Sequence, residues 1–221
     1  MDIYSQHEWE VSVEEALKIQ EILKKKICLC KPHRLTKVAA ADVTYLGNKA
    51  TAGVLVFTYP GLELLEEVLV SQPVKFPYIP GLLAFREAPP IIEALKKVKE
   101  KVDLLMLDGH GIAHPRRMGI ATHLGIYLGM ASLGCAKSKL TGTHSPLPPE
   151  RGSYQPLYDD KEMIGWVVRT RYNTKPVFAS PGNFIDFKTT LEVVLNCSRG
   201  YRIPEPLRLV HLLVNKKVKV G

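Results

Sequence analysis

The chain has 221 residues, a length that suits one large domain or at most two small ones. Hydrophobic residues make up 46% and charged residues 24%, which is the composition of a globular protein. Thirty Lys and Arg residues against 22 Asp and Glu residues give a net charge of +8, and this excess favours a polyanionic partner such as nucleic acid. The sequence has no apolar run near the ~20 residues that cross a bilayer. It also has no signal-peptide pattern at its N-terminus, so membrane and secreted proteins are excluded and a cytoplasmic location is expected.

The first part of the chain predicts one helix followed by three strands. Ser12 and Glu15 have the spacing of a capping box, and a helical stripe of apolar residues follows them. Residues 38–45 and 51–59 are strand candidates, and residues 62–70 fit a strand or a helix. The short turns between these segments favour an antiparallel meander with residues 62–70 at its edge.

The rest of the chain alternates between predicted helices and strands. Residues 73–90 are rich in proline and glycine, and residues 141–160 are loop-like. No repeat or linker interrupts the chain, which favours a single domain over residues 1–221. The order of elements predicts an α/β fold in which helices cover both faces of a mixed sheet. The predicted helices are 91–101, 118–130, 186–196 and 207–217, the predicted strands are 104–107, 131–136, 163–171 and 176–180, and Pro181-Gly182 is a predicted turn.

Asp108 ends the buried strand 104–107 and precedes a glycine-rich segment that contains two arginines. Ligands of α/β sheets bind at the carboxyl ends of such strands, and arginines supply charge for a phosphate. Asp42 interrupts an apolar strand in the same way. Two neighbouring carboxylates resist ionising together, and a divalent cation removes that conflict. With Glu87 as a third oxygen ligand, the pattern predicts a Mg²⁺ or Mn²⁺ site that hydrolyses a phosphodiester.

Several other residues leave two interpretations open. Lys137 could stabilise a phosphate or be an ordinary solvated lysine. His211 lies in an apolar helical stretch, where a lone histidine is more often a core residue than a functional one. His114 lies in the glycine-rich loop and favours a functional role. Cys28 and Cys30 have a spacing that fits neither a redox pair nor a zinc knuckle, so the cysteines are interpreted as reduced thiols.

Four segments carry a more specific pattern, in this order: FPYIPGLLAFRE at 76–87, DGHGIAHPRRMGIATHLG at 108–125, GCAKSKLTG at 134–142 and RIPEPLRLVH at 202–211. Together they resemble the endonuclease V family of deoxyinosine-directed repair nucleases, from about residue 38 to the last helix. The resemblance implies a ribonuclease H-like fold. The departures are small, with Ala40-Ala41 where relatives often have Gly-Val and His110 where some have Gln.

The resemblance also implies a role for each matching residue. Asp42, Glu87 and Asp108 would hold the catalytic metal, which agrees with the choice made from the residues themselves. Lys137 and His211 would be active-site residues, which reverses the core interpretation of His211. The PYIP segment would fill the gap left by an extruded base, and a pocket of glycine backbone would accept the hypoxanthine. The implied lesion-binding residues are Tyr78, Ile79, Pro80, Gly81, Leu83, Gly109, Gly111 and His114.

The implied reaction cuts the second phosphodiester on the 3′ side of deoxyinosine and leaves 3′-hydroxyl and 5′-phosphate ends. Mg²⁺ is the expected cofactor, with Mn²⁺ as a substitute. Deoxyinosine-containing DNA, single- or double-stranded, is the expected partner of a protein that acts as a monomer and binds no membrane. Three alternatives remain: an endoribonuclease specific for inosine in RNA, a module that binds damaged nucleic acid without cutting it, and a generic structure-specific nuclease without a base pocket.

Overall fold

The computed structural model describes residues 7–220, and these residues form one eight-stranded sheet with five helices around it. Within this range no helix is both long enough and apolar enough to cross a membrane. The helices are α1 (Val13–Lys24), α2 (Leu83–Leu95), α3 (Ile120–Leu128), α4 (Phe187–Asn196) and α5 (Glu205–Val220). The strands are β1 (Lys37–Leu46), β2 (Lys49–Thr58), β3 (Leu64–Pro73), β4 (Leu104–Leu107), β5 (Ala131–Ala136), β6 (Tyr154–Asp159), β7 (Glu162–Val168) and β8 (Val177–Asn183).

The sheet has the strand order β3-β2-β1-β4-β5-β8-β7-β6. The strands β1, β4 and β5 run parallel to one another, whereas the remaining neighbours are antiparallel. The predicted meander of the first three strands is confirmed, with β3 at the edge. Because parallel strands end at the same edge of a sheet, the segments that follow β4 and β5 lie next to each other.

Helices cover both faces of the sheet, and alternate residues of β1 pack against different helices. On one face, Val38 and Ala40 share a core with α4 and with Val210 of α5. On the other face, Ala39 and Ala41 share a core with α2 and α3. The predicted α/β fold, a mixed sheet between two layers of helices, is confirmed.

The second helix begins well before its predicted position. The sequence predicts a helix over residues 91–101, after a segment rich in proline and glycine, but α2 already begins at Leu83 and ends at Leu95. Its buried side chains recur at helical spacing and pack on the sheet. The predicted start is wrong because the burial of these apolar side chains outweighs the effect of Pro89 and Pro90 inside the helix. Glu87 therefore lies on a helix.

Pro89 and Pro90 both lie inside α2. They have no N–H to donate to the carbonyls of Phe85 and Arg86, four residues earlier, so the helix lacks two of its hydrogen bonds. The apolar face of α2 is buried against β1 and β2. Packing on the sheet therefore stabilises this part of the helix and compensates for the two missing hydrogen bonds.

Two other predictions in the second half are wrong. The predicted loop 141–160 contains β6, an edge strand in which a single residue is buried, so its sequence lacks the alternation of a half-buried strand. Pro181 and Gly182 are predicted as a turn but lie inside β8. There the ladder with β5 shifts its register between Ser132 and Leu133, and this irregularity accommodates the proline.

Candidate active site

Two carboxylates lie side by side near the centre of the sheet. In the parallel ladder between β1 and β4, Ala41 is paired with Leu107, so Asp42 and Asp108 follow at the same level. Asp42 alternates with Ala41 and therefore points to the face covered by α4 and α5, as Ala40 does. The register of one strand pair thus brings two distant acids together.

His211 is brought to these acids by α5, which packs on the same face. Its Nδ1 donates a hydrogen bond to Oδ2 of Asp42 at 2.7 Å, and 49% of its side chain is exposed. One ligand atom from each of Asp42, Asp108 and His211 lies within 4.8 Å of the other two. The interpretation of His211 as a core histidine is therefore wrong.

Lys137 follows β5 directly and lies next to Asp108, because β5 is the parallel neighbour of β4. Its Nζ forms an ion pair with Oδ2 of Asp108 at 2.5 Å. The guanidinium of Arg202 donates to the carbonyl oxygens of Lys137 and Pro176, and so ties the end of β5 to the start of β8. Arg202 was missed as a contributor to the site, although it opens one of the four characteristic segments.

Glu87 approaches the two acids from the other face of the sheet, because it lies on α2. The Tyr45 hydroxyl donates to Oε1 of Glu87 at 3.2 Å, and the guanidinium of Arg86 stacks over the Tyr45 ring at 4.5 Å. Within residues 7–220, the ligand group formed by Asp42, Asp108 and His211 does not include Glu87. The structure therefore brings two of the three predicted metal ligands together with a histidine, and metal binding by Glu87 stays a prediction.

The charges at the site oppose one another. Burial, together with the charges of Asp42 and Asp108, raises the pKa of Glu87 to about 8. Burial also raises the pKa of Asp42, against the hydrogen bond from His211. Hard carboxylate oxygens suit Mg²⁺ or Mn²⁺, and a divalent cation would relieve this conflict. The residues present therefore fit the predicted metal.

A cavity of about 350 Å³ adjoins the acids, between the starts of α2 and α3. This volume is within the range of roughly 300–1,000 Å³ for small-molecule sites. Asp108 and Lys137 belong to its wall, so the cavity and the acidic cluster are continuous. Seven of the eight predicted lesion-binding residues also line it: Tyr78, Ile79, Pro80, Gly81, Leu83, Gly109 and His114.

The eighth, Gly111, does not line the cavity but packs behind it. A Cβ on Gly111 would lie 2.1 Å from the Pro181 carbonyl oxygen, so only glycine fits there. Its N–H donates to Oγ of Ser180 at 2.8 Å, and the next N–H, of Ile112, donates to the Pro181 carbonyl. The loop after Asp108 is therefore fixed on β8, which makes the position of the cavity wall rigid.

His114 is almost fully buried and uses both ring nitrogens inside the protein. Nδ1 accepts a hydrogen bond from the backbone N–H of Arg116 at 3.1 Å, so the proton is on Nε2, which donates to the Gly81 carbonyl at 3.1 Å. Burial and the Arg116 charge lower the pKa of His114 to about 4. The ring is therefore neutral at pH 7 and supports the cavity wall.

Tyr78 lies at the mouth of the cavity, and its side chain is 67% exposed. The segment around it is anchored at both ends. Arg86 donates to the Phe76 carbonyl at 2.8 Å, and the N–H of Leu82 donates to the Ile79 carbonyl at 2.9 Å. The tyrosine ring therefore projects from a backbone that is held in place.

Comparison with known proteins gives a consistent result. A family model described as Endonuclease V matches residues 21–212. An Endonuclease V from Methanothrix thermoacetophila is 45% identical over 214 residues, which cover 97% of this chain and 96% of the relative.

Solved structures resemble the chain over almost its whole length. The Endonuclease V of Bacillus subtilis superposes with a TM-score of 0.93 at 31% identity, covering 100% of this chain and 98% of the other. The Endonuclease V of Ciona intestinalis, in complex with a 24mer DNA containing an inosine followed by a ribo-adenosine, superposes with a TM-score of 0.82 at 25% identity, covering 94% and 98%.

The contact between β5 and the loop after Asp108 yields a first prediction. A Cβ on Gly134 would lie 2.5 Å from the Gly109 carbonyl oxygen and 2.6 Å from the Gly111 nitrogen. We expect Gly134→Ala to lower the free energy of unfolding by about 2–3 kcal/mol, measured by urea denaturation. Gly129→Ala is the control, because it meets open space and should cost about 1 kcal/mol from its left-handed backbone alone. Equal losses would contradict the close contact.

Glu87 yields a prediction on pH. Because its pKa is about 8 in the folded protein against a usual 4.5, the folded state binds more protons than the unfolded state between these values. The free energy of unfolding of the metal-free protein should therefore fall as pH rises through this window. Glu87→Gln should flatten this dependence in calorimetric scans across the window, and an unchanged slope would show that Glu87 is not the group responsible.

Proposed function

The chain belongs to the endonuclease V family, and from this premise we propose that it is a metal-dependent endonuclease that acts on deoxyinosine in DNA. The observation that carries the proposal is the continuity of the cavity with the acids, since Asp108 and Lys137 belong to both. A base bound in the cavity would place its own strand beside the carboxylates. The Ciona intestinalis relative, solved with inosine-containing DNA, supports a base of this kind as the occupant.

The proposed reaction is hydrolysis of the second phosphodiester on the 3′ side of the lesion, which leaves 3′-hydroxyl and 5′-phosphate ends. Asp42, Asp108 and Glu87 would hold Mg²⁺, or Mn²⁺ in its place, and such an ion supplies an activated water and neutralises charge on the phosphate. His211 fixes the orientation of the Asp42 carboxylate through its hydrogen bond. The ammonium of Lys137, which lies beside Asp108, would donate to a phosphate oxygen as its charge develops.

Selectivity would begin with the cost of extruding a base. This cost is a few kcal/mol and is smallest for a poorly paired base, such as a deaminated adenine. The exposed ring of Tyr78 would stack in the vacated position, because aromatic side chains can replace a base in the stack. The backbone around Gly81 and Gly109 lets the extruded base approach closely.

Inosine in RNA is a second candidate substrate. The strand bound to the Ciona intestinalis relative carries a ribo-adenosine directly after its inosine, so that protein accommodates a 2′-hydroxyl at this position. In this chain the same catalytic residues would serve either polymer. The 2′-hydroxyl is the group that distinguishes the two.

The proposed function predicts a specific cleavage. With Mg²⁺, a labelled duplex with one deoxyinosine should be cut one nucleotide beyond the lesion, whereas the same duplex with adenine should stay intact. Denaturing electrophoresis measures the product length. Equal cutting of both duplexes would contradict the proposed recognition of the base. Faster cutting of an RNA of the same sequence with inosine would favour RNA as the substrate.

Two variants make this assay specific for the acids. Asp108→Asn should lower the cleavage rate by more than about 100-fold, because it removes a charged ligand. Asp160→Asn should retain full activity, because Asp160 is an exposed acid between β6 and β7. Similar activity in both variants would contradict the proposed metal site.

Tyr78 gives a separate prediction on binding. Tyr78→Ala should weaken metal-free binding of the inosine duplex by about tenfold, because stacking on one base contributes roughly 1–3 kcal/mol. The single-turnover rate at saturating duplex should change by less than about threefold. Fluorescence anisotropy and quenched-flow measurements test the two parts. Tyr172→Ala is the matched control, since Tyr172 is 66% exposed and does not line the cavity; equal affinities of the two variants would contradict stacking by Tyr78.

A further inference from the structure

The carbonyl oxygen of Gly81, at the rim of the cavity, accepts hydrogen bonds from three side chains. Gln20 donates through Nε2 at 3.0 Å, Arg116 through Nη2 at 2.8 Å, and His114 through Nε2 at 3.1 Å. These donors come from α1 and from the loop that precedes α3. We name this arrangement the Gly81 clamp.

Gln20 is the member of the clamp that joins the others. Its side chain is fully buried, and both ends of its amide are used. Oε1 accepts from Nε of Arg116 at 2.6 Å, and Nε2 also reaches the carbonyl of Met118 at 3.3 Å. A buried amide with all these partners is costly to remove, because each partner would be left without its hydrogen bond. Gln20 therefore holds Arg116 in place as well as Gly81.

The clamp acts on a backbone that would otherwise be free to move. Gly81 has a φ of +82°, a conformation that glycine adopts readily and exchanges readily for others. A Cβ at this position would lie 2.7 Å from Nη2 of Arg116, so the guanidinium packs directly on the glycine. Pro80, directly before Gly81, and Leu83, two residues after it, line the cavity. The orientation of the peptide group that carries the Gly81 carbonyl therefore determines the shape of the cavity rim.

We propose that Gln20 is a positioning residue for base recognition, and that α1 thereby takes part in the specificity of the enzyme. The proposal rests on the proposed function, since it assigns the rim of the same cavity. Gln20 does not line the cavity and lies one residue before the range matched by the family model. Gln20 acts through Gly81 and Arg116. None of the hydrogen bonds of its side chain involves the acids.

The test compares Gln20→Leu with Ser12→Ala. Gln20→Leu replaces the amide by an apolar side chain of similar size and so removes every hydrogen bond of the amide. Ser12→Ala removes the side chain that caps α1 and leaves the Gly81 clamp intact, so it controls for a loss of helix stability. Urea denaturation measures the free energy of unfolding of both variants, so that their affinities can be compared at known stability. Anisotropy without metal then gives the affinity for the inosine duplex and for the same duplex with adenine.

We expect Gln20→Leu to weaken binding of the inosine duplex by about tenfold, the loss that corresponds to one or two buried hydrogen bonds. Binding of the adenine duplex and the single-turnover rate at saturation should change by less than about twofold. Hydrogen exchange should show faster exchange of the Leu82 amide, whose N–H closes the turn from Ile79, in Gln20→Leu but not in Ser12→Ala. This last measurement needs no substrate.

Gln20→Glu separates the two functions of the amide. It keeps an acceptor for Arg116 but loses the donor to Gly81, so it should weaken inosine binding as much as Gln20→Leu does. Wild-type affinity in this variant would overturn donation to Gly81 as the cause.

Failure of this inference differs from failure of the proposed function. If the wild type prefers inosine and Gln20→Leu keeps that preference, the role of Gln20 is overturned alone. If the wild type binds both duplexes equally, the proposed base recognition is overturned as well.

Discussion

The parallel pairing of β1 with β4 is the constraint on which the site depends. It sets Asp42 and Asp108 at the same level, in a half-buried environment where two like charges oppose each other. Two neighbouring groups reduce this repulsion: the Lys137 ammonium forms an ion pair with Asp108, and a ring N–H of His211 donates to Asp42. These partners come from elements far apart in the chain, because β5 pairs with β4 and α5 packs on the same sheet.

The site also extends across both faces of the sheet. His211 reaches the acids from the layer of α4 and α5, whereas Glu87 and its partner Tyr45 lie on the side of α2. The cavity lies on the α2 side as well, and Asp108 marks its boundary with the acids. The fold thus places the cavity and the helix that supplies His211 on opposite faces of the sheet.

The parts of the site that follow from local pattern were predictable. An apolar run that ends at Asp108 indicates a strand end without any knowledge of its neighbours, and Ser12 with Glu15 indicates a capped helix. The helical setting of Glu87 was not predictable in this way, because packing on the sheet outweighs the two prolines of α2. Tyr45 and Gln20 could not be recognised because their partners are set by tertiary contacts, and a polar residue in a helix is usually exposed.

The two prolines of α2 have a mechanical consequence for Glu87. Their missing hydrogen bonds belong to the carbonyls of Phe85 and Arg86, the two residues directly before Glu87. The backbone beside this carboxylate is therefore more compliant than a regular helix, while the buried stripe of α2 keeps its axis fixed. In the proposed metal site, compliance of this kind would let Glu87 adjust to an ion by a small local movement, while the register of β1 and β4 holds Asp42 and Asp108 at a fixed level.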